Sequence, residues 1–91
     1  FINNFSNHLY RIGHEISDTK QINFDLLRPL IQETATKIQH MSPYLAQTGP
    51  GMRNDKKTIK KHLKLIEKPL HKDLYELLTK SIKNTHGIKK L

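Results

Sequence analysis

Apolar residues recur along most of the chain at the three- and four-residue spacing of an amphipathic helix. In the first segment they are Phe1, Phe5, Leu9, Ile12 and Ile16. Three later stripes comprise Leu26, Leu27, Leu30, Ile31, Ala35, Ile38 and Met41, then Ile59, Leu63 and Ile66, then Leu70, Leu74, Leu77, Leu78 and Ile82. No stretch alternates apolar and polar residues as a strand would. The pattern predicts one compact all-α domain of about four helices over residues 1–91, with a thin core formed by the stripes.

Proline, glycine and capping residues mark the expected helix ends. Asn23 is a suitable N-cap for the second helix. Pro29 lies too far inside that helix to be a first-turn proline, so it should kink the helix or split it in two. Pro69 separates the third helix from the fourth. Gly87 should end the fourth helix, with residues 88–91 as a frayed tail.

One central segment, "AQTGPGMRND" (residues 46–55), departs from the helical pattern. Its Gly-Pro-Gly centre predicts a rigid corner, because proline fixes its own φ and glycine tolerates positive φ. Asn54 or Asp55 can cap the next helix. A corner requires neither Gln47 nor Arg53, so these two residues are left without a structural explanation.

The net charge of +8 is confined to the second half of the chain. Residues 1–52 contain four Lys/Arg and four Asp/Glu, whereas residues 53–91 contain twelve and four. Lysines 57, 60, 61, 64 and 68 lie opposite the apolar stripe of the third helix. Such a face is either solvated or binds a polyanion. The lack of interleaved aromatic residues argues against nucleic acid as the partner.

Several kinds of chemistry lack their residues. There is no cysteine, which excludes disulfides and agrees with a cytoplasmic location. No apolar run approaches the roughly 18 residues of a membrane span. His14 and Asp18 are four residues apart, but no second histidine joins them at helical spacing, so no metal site is predicted. No nucleophile motif or phosphate loop is present. Because Phe1 already lies in helical register, we expect the chain to be part of a longer protein.

Five stretches occur in an order that resembles a known family: "NNF", "LRPLIQETATKI", "AQTGPGMRND", "HLKLI" and "LYELLT". Over roughly residues 1–82 the chain resembles the C-terminal helical domain of Rossmann-like proteins (domain-of-unknown-function family 2520), in the form seen in Bacteroidetes-type bacteria. Asn54 stands where glycine is frequent in that family. The most specific element is "TGPxxRxD", which here comprises Thr48, Gly49, Pro50, Arg53 and Asp55.

The resemblance implies a preceding Rossmann domain that binds NAD(P), which this chain lacks, and no cofactor in the chain itself. The two-domain plan is similar to that of pyrroline-5-carboxylate reductase and 6-phosphogluconate dehydrogenase. In such enzymes the helical domain commonly dimerises and closes the substrate cleft. The resemblance therefore implies a homodimeric domain that is not an enzyme alone.

The same resemblance suggests the site residues. Related hydroxyacid dehydrogenases use an asparagine on the long first helix, and Asn4 is the position most like it and the candidate catalytic residue. Substrate binding is expected to involve Asn4, Thr48, Gly49, Arg53 and Asp55. Arg53 could hold a carboxylate or a phosphate, and Asp55 either caps the third helix or orients Arg53.

An alternative function remains open beside this one. The chain could be a small basic helical module that binds nucleic acid or another polyanion through the face formed by Lys57–Lys68.

Overall fold

The computed structural model describes residues 1–87, which form helices and contain no strand. The helices are α1 (Ile2–Thr19), a 3-10 helix (Phe24–Leu27), α2 (Arg28–His40), α3 (Pro43–Ala46), α4 (Pro50–Arg53), α5 (Lys56–Leu65) and α6 (Pro69–His86). The all-α prediction with four long helices is confirmed. The chain forms two compact units, residues 1–43 and residues 44–91. The predicted tail at residues 88–91 lies outside the described residues.

The first unit is built on α1, whose contacts lie near its C-terminal end. Ile12 is only 9% exposed, and the Ser17 hydroxyl is buried and donates to the Gly13 carbonyl at 2.9 Å. The Phe24 ring lies 4.9 Å from the His14 ring. Towards the N-terminus the apolar stripe is open, and Phe1 is 92% exposed. The first two turns of this stripe therefore lie outside the core of the unit.

Pro29 occupies a position different from the one predicted. Asn23 caps the segment as expected, because its Oδ1 accepts a hydrogen bond of 2.9 Å from the Asp25 N–H. The four residues that follow form a 3-10 helix, so α2 starts afresh at Arg28 and Pro29 lies in its first turn. A first-turn proline loses no helical hydrogen bond. The predicted split is confirmed, but the claim that Pro29 is too far inside for a first turn is wrong.

In the second unit, α4 packs against both α5 and α6. Gly51 on α4 is buried, and a Cβ built there would lie 3.4 Å from Thr79 Cγ2 and 3.6 Å from Ile82 Cγ2. The Tyr75 hydroxyl lies 2.8 Å from His62 Nδ1 and so links α6 to α5. Pro69 is the first residue of α6, and Gly87 caps its C-terminus, as predicted.

The face of α6 that makes these contacts is not the predicted one. It comprises the half-buried side chains of His71, Tyr75, Thr79, Ile82 and His86. The leucine face of α6, which we define as Leu70, Leu74, Leu77 and Leu78, points largely to solvent, with Leu70 76% and Leu77 66% exposed. Of the predicted stripe, Ile82 belongs to the packed face and Leu74 is also half-buried. Polar and aromatic side chains join α6 to its neighbours, and most of its leucine surface is left uncovered.

Gln21 should be replaceable by glycine with a gain in stability. Gln21 follows α1 with a φ of +58°, and the Ile22 N–H donates to the Ser17 carbonyl at 2.8 Å, as in a Schellman cap. A side chain in the left-handed region costs roughly 1–2 kcal/mol, part of which glycine loses again to chain entropy. Gln21→Gly should raise the free energy of unfolding by roughly 0.5–1 kcal/mol in urea titrations.

The matched control is Lys20→Gly, because Lys20 has a φ of −92°. That variant should be no more stable than the wild type. Equal stabilisation by both glycines would contradict the assignment of strain to Gln21.

Candidate functional site

The candidate site is the central loop, and its first half contains a single helical turn rather than an open corner. Gly49 has a φ of +98° and a ψ of 169°, a conformation essentially confined to glycine. Pro50 then opens α4, where its fixed φ suits the first helical position. The Gln47 side-chain amide donates to the Thr48 carbonyl at 3.0 Å. Gln47, which the sequence left unexplained, therefore stabilises the loop.

The second half of the loop ends α4 and begins α5 within two residues. Asn54 adopts the left-handed conformation with a φ of +57°. The Asp55 N–H donates to the Pro50 carbonyl at 2.8 Å and the Asn54 N–H donates to the Gly51 carbonyl at 3.3 Å, which is the Schellman arrangement. Asparagine and glycine both tolerate this backbone, which gives a physical reason for the glycine expected at this position from the resemblance.

The Asp55 carboxylate has three donors. The Thr58 N–H donates to Oδ1 at 3.1 Å, and the Thr58 hydroxyl donates to Oδ2 at 2.8 Å. Arg53 Nη2 also donates to Oδ2, at 3.3 Å. The hydrogen bonds from Thr58, assisted by the Arg53 charge, lower the pKa of Asp55 below its ordinary value of 3.8. Both predicted functions of Asp55, capping α5 and orienting Arg53, are therefore present in the structure.

Arg53 combines one fixed contact with an open side chain. Its guanidinium pairs with Asp55, yet the side chain is 56% exposed. A guanidinium offers five donors in a planar fork that matches a carboxylate or a phosphate. The arrangement can hold Arg53 in position from one side while its other donors receive an anionic group.

The structure brings four of the five predicted site residues together. Thr48, Gly49, Arg53 and Asp55 belong to the one loop of the second unit. Asn4 lies on an exposed turn of α1, in the first unit. A joint function for Asn4 and the loop remains a prediction.

The polar side of α1 is an open surface with hydrogen-bonding and charged groups on a single helix face. It begins one turn after Asn4. Its residues are Asn7, Tyr10, Arg11, His14, Glu15 and Asp18. Within it, His14 Nδ1 lies 3.4 Å from the Asp18 carboxylate. Residues 1–87 contain no cluster of three or more His, Cys, Asp or Glu side chains that could hold a metal ion.

Two histidines make contacts that the sequence did not reveal. His62 lies beside the Tyr75 hydroxyl, and burial raises the pKa of Tyr75, so the phenol stays protonated at neutral pH. The His86 ring stacks on Tyr44 with a centroid distance of 4.4 Å. Each pair joins residues from different helices, so no local spacing signals it. We assign both contacts to packing of the second unit.

The lysine face of α5, which we define as Lys57, Lys60, Lys61 and Lys64 together with Lys68 beyond the end of the helix, is exposed. Ile66, on the opposite side, is 9% exposed. The predicted division of this segment into an apolar side and a basic side is confirmed. No helix within residues 1–87 is sufficiently long and apolar to cross a membrane.

Comparison with known protein families identifies the family of this chain. The family described as "Domain of unknown function (DUF2520)" matches residues 1–82. The chain belongs to this family. The match spans the same residues as the resemblance based on "TGPxxRxD", which is confirmed. No curated protein matches the chain.

A solved structure extends the family assignment. The chain is similar to the crystal structure of a "putative NADP oxidoreductase" from Bacteroides fragilis, with 41% sequence identity and a TM-score of 0.85 over 89% of its residues. It covers 32% of that protein, so it spans about a third of the length of this neighbour. The similarity to about a third of a longer protein agrees with the resemblance to one domain of a larger protein.

The two glycines of the loop should respond in opposite ways to alanine. At Gly49 the backbone itself excludes a Cβ, at a cost of about 1–3 kcal/mol. At Gly51 a Cβ meets Thr79 at ordinary contact distance, and alanine is the better helix former by roughly 0.5–1 kcal/mol. Gly49→Ala should lower the free energy of unfolding measured in urea, and Gly51→Ala should leave it unchanged or raise it. A larger loss at Gly51 would show that α4 packs more tightly on α6 than described.

Asp55 should stabilise the fold in a pH-dependent way. Because its folded-state pKa is lowered, the contribution is complete above the ordinary value of 3.8 and is lost as the pH falls through the folded-state pKa. Asp55→Asn should therefore be less stable than the wild type at neutral pH, and the difference should shrink below about pH 3.8. Urea unfolding at several pH values measures this.

A second variant tests the cause of the lowered pKa. Thr58→Val removes the hydroxyl donor and keeps the side-chain shape. A carbon-detected NMR titration of Asp55 should then give a pKa closer to 3.8 than in the wild type. An unchanged titration midpoint would mean that Thr58 is not the main cause.

Proposed function

We propose that this chain is the C-terminal helical domain of an NADP-dependent oxidoreductase of the cytoplasm, and that it supplies one wall of the substrate cleft and part of a dimer interface. The observation that carries the proposal is the 41% identity to a threefold longer protein described as a "putative NADP oxidoreductase". The nucleotide would bind to an N-terminal Rossmann domain, because residues 1–91 contain no glycine-rich phosphate motif.

Exposed apolar surface supports a domain that works in contact with others. Phe1, Ile2 and Phe5 on α1, Leu26 and Leu30 beside the start of α2, and the leucine face of α6 are open to solvent. Large apolar surfaces of this kind mark interaction sites in soluble proteins. We assign the apolar residues of α1 and α2 to the Rossmann domain and the leucine face of α6 to a second copy of the chain.

Arg53 is the residue we assign to the substrate. Its pairing with Asp55 limits its motion, and its exposed donors suit a carboxylate or a phosphate. In this proposal Thr48 and Gly49 shape the loop around Arg53. Asn4 and the polar side of α1 would contribute a polar part of the cleft wall, with Asn4 as the candidate catalytic residue.

The lysine face of α5 does not require a second function. Its side chains are exposed and lie on one solvated side of an otherwise packed helix. Binding of nucleic acid would depend steeply on salt. Binding of nucleic acid remains the alternative function, and it would gain support if the longer protein bound neither nicotinamide nucleotide.

Nucleotide titrations test the proposed function. The longer protein that carries this chain should enhance NADPH fluorescence on binding, with weaker binding of NADH, and residues 1–91 alone should have no effect. Binding of neither nucleotide by the longer protein would contradict an oxidoreductase. Equal binding by residues 1–91 alone would contradict the assignment of the nucleotide to a Rossmann domain.

Arg53 variants test the substrate assignment. In a screen of NADPH oxidation with keto acids and phosphorylated carbonyl compounds, Arg53→Gln should raise KM by about 10- to 100-fold, the value of a lost charge-assisted pair. Arg53→Lys should restore only part of the loss, because lysine lacks the planar fork. Lys57→Gln, a change on the lysine face, is the control and should leave KM unchanged.

A further inference from the structure

Three of the four residues on the leucine face of α6 are exposed and Leu74 is half-buried, although the opposite side of the helix is packed. Leu70, Leu77 and Leu78 are 76%, 66% and 42% exposed. On the far side, Thr79 and Ile82 lie next to Gly51, and Tyr75 contacts His62. The helix is thus fixed within its unit and presents a second, apolar surface outwards.

The spacing on this face is that of a two-helix seam. Leu70, Leu74, Leu77 and Ser81 follow one another at intervals of 4, 3 and 4 residues, the alternation of core positions in a heptad repeat. Two exposed charged residues directly precede core positions, Asp73 before Leu74 and Lys80 before Ser81. One is acidic and the other basic, and they are one heptad apart.

We propose that α6 pairs in antiparallel orientation with α6 of a second copy of this chain, with Leu74 opposite Leu77 of the other copy. This inference rests on the dimerisation part of the proposed function. In that register Asp73 lies beside Lys80 of the second copy, and the two-fold symmetry forms the pair twice. Leu70 of each copy then lies opposite Ser81 of the other copy, so that one such pair forms at each end of the seam.

Charge selects this orientation over the parallel one. In a parallel pair, Asp73 would lie beside Leu78 of the other helix and Lys80 beside Thr85, and neither would be neutralised. The leucine face is also less basic than the rest of the unit, because Asp73 and Glu76 lie beside it. They are two of the four acidic residues after position 52. The charges of a second copy therefore complement this face when the two helices are antiparallel, and do not when they are parallel.

Single substitutions on two helices test the location of the interface. Sedimentation equilibrium of the full chain should show a dimer. Leu77→Lys should raise the dissociation constant of the dimer more than tenfold. Phe5→Lys, at another exposed position on α1, should leave that constant unchanged. Both residues are exposed, so circular dichroism should show the wild-type helix content in each variant.

Charge exchange tests the register. Asp73→Lys and Lys80→Asp should each weaken self-association about tenfold, because each creates two like-charge pairs. The double variant should recover the wild-type dissociation constant. The two single variants should also associate with each other when mixed, since each offers the charge that the other requires.

The outcomes separate the inference from the proposed function. A dimer disrupted by Phe5→Lys and not by Leu77→Lys overturns the α6 seam and leaves dimerisation in place. A dimer sensitive to Leu77→Lys without rescue by the double exchange overturns the antiparallel register. A chain that stays monomeric at millimolar concentration overturns both the seam and the dimer, while nucleotide binding by the longer protein is decided separately.

Discussion

The Asp55 carboxylate is the group on which the central loop depends. Its two oxygens accept from the Thr58 N–H, the Thr58 hydroxyl and Arg53, so one side chain starts α5 and positions the candidate binding residue. The backbone of Asp55 meanwhile closes α4 by donating to the Pro50 carbonyl. A helix end and a helix start can therefore be only two residues apart. Such proximity keeps Arg53 at the surface while Gly51 is buried against α6.

Much of this loop could be predicted from sequence because its chemistry is local. The positive φ at Gly49 and the cap at Asp55 each follow from the residue and its immediate neighbours. The sequence predicted that Asp55 would either cap the following helix or orient Arg53, and in the structure it does both. The helical turn of α4 was missed, because four residues are too few to carry a periodic signal.

Contacts between helices could not be predicted from local sequence patterns. The leucines of α6 form a more regular apolar stripe than the face of Tyr75, Thr79 and Ile82, yet the latter packs within the unit. Periodicity identifies an apolar face but not what covers it. Pro29 shows a similar limit, because its place in a first turn depends on the 3-10 helix before it. The His62–Tyr75 contact joins residues thirteen apart on two helices, for which no spacing rule exists.

We propose that the loop of residues 46–55 lines the substrate cleft of a larger NADP-dependent enzyme. Hydrogen–deuterium exchange of the longer protein can be compared between NADPH alone and NADPH with an accepted substrate. Substrate should slow exchange of the backbone amides over residues 48–55 beyond the effect of NADPH. Slower exchange elsewhere in the protein, with residues 48–55 unchanged, would contradict it.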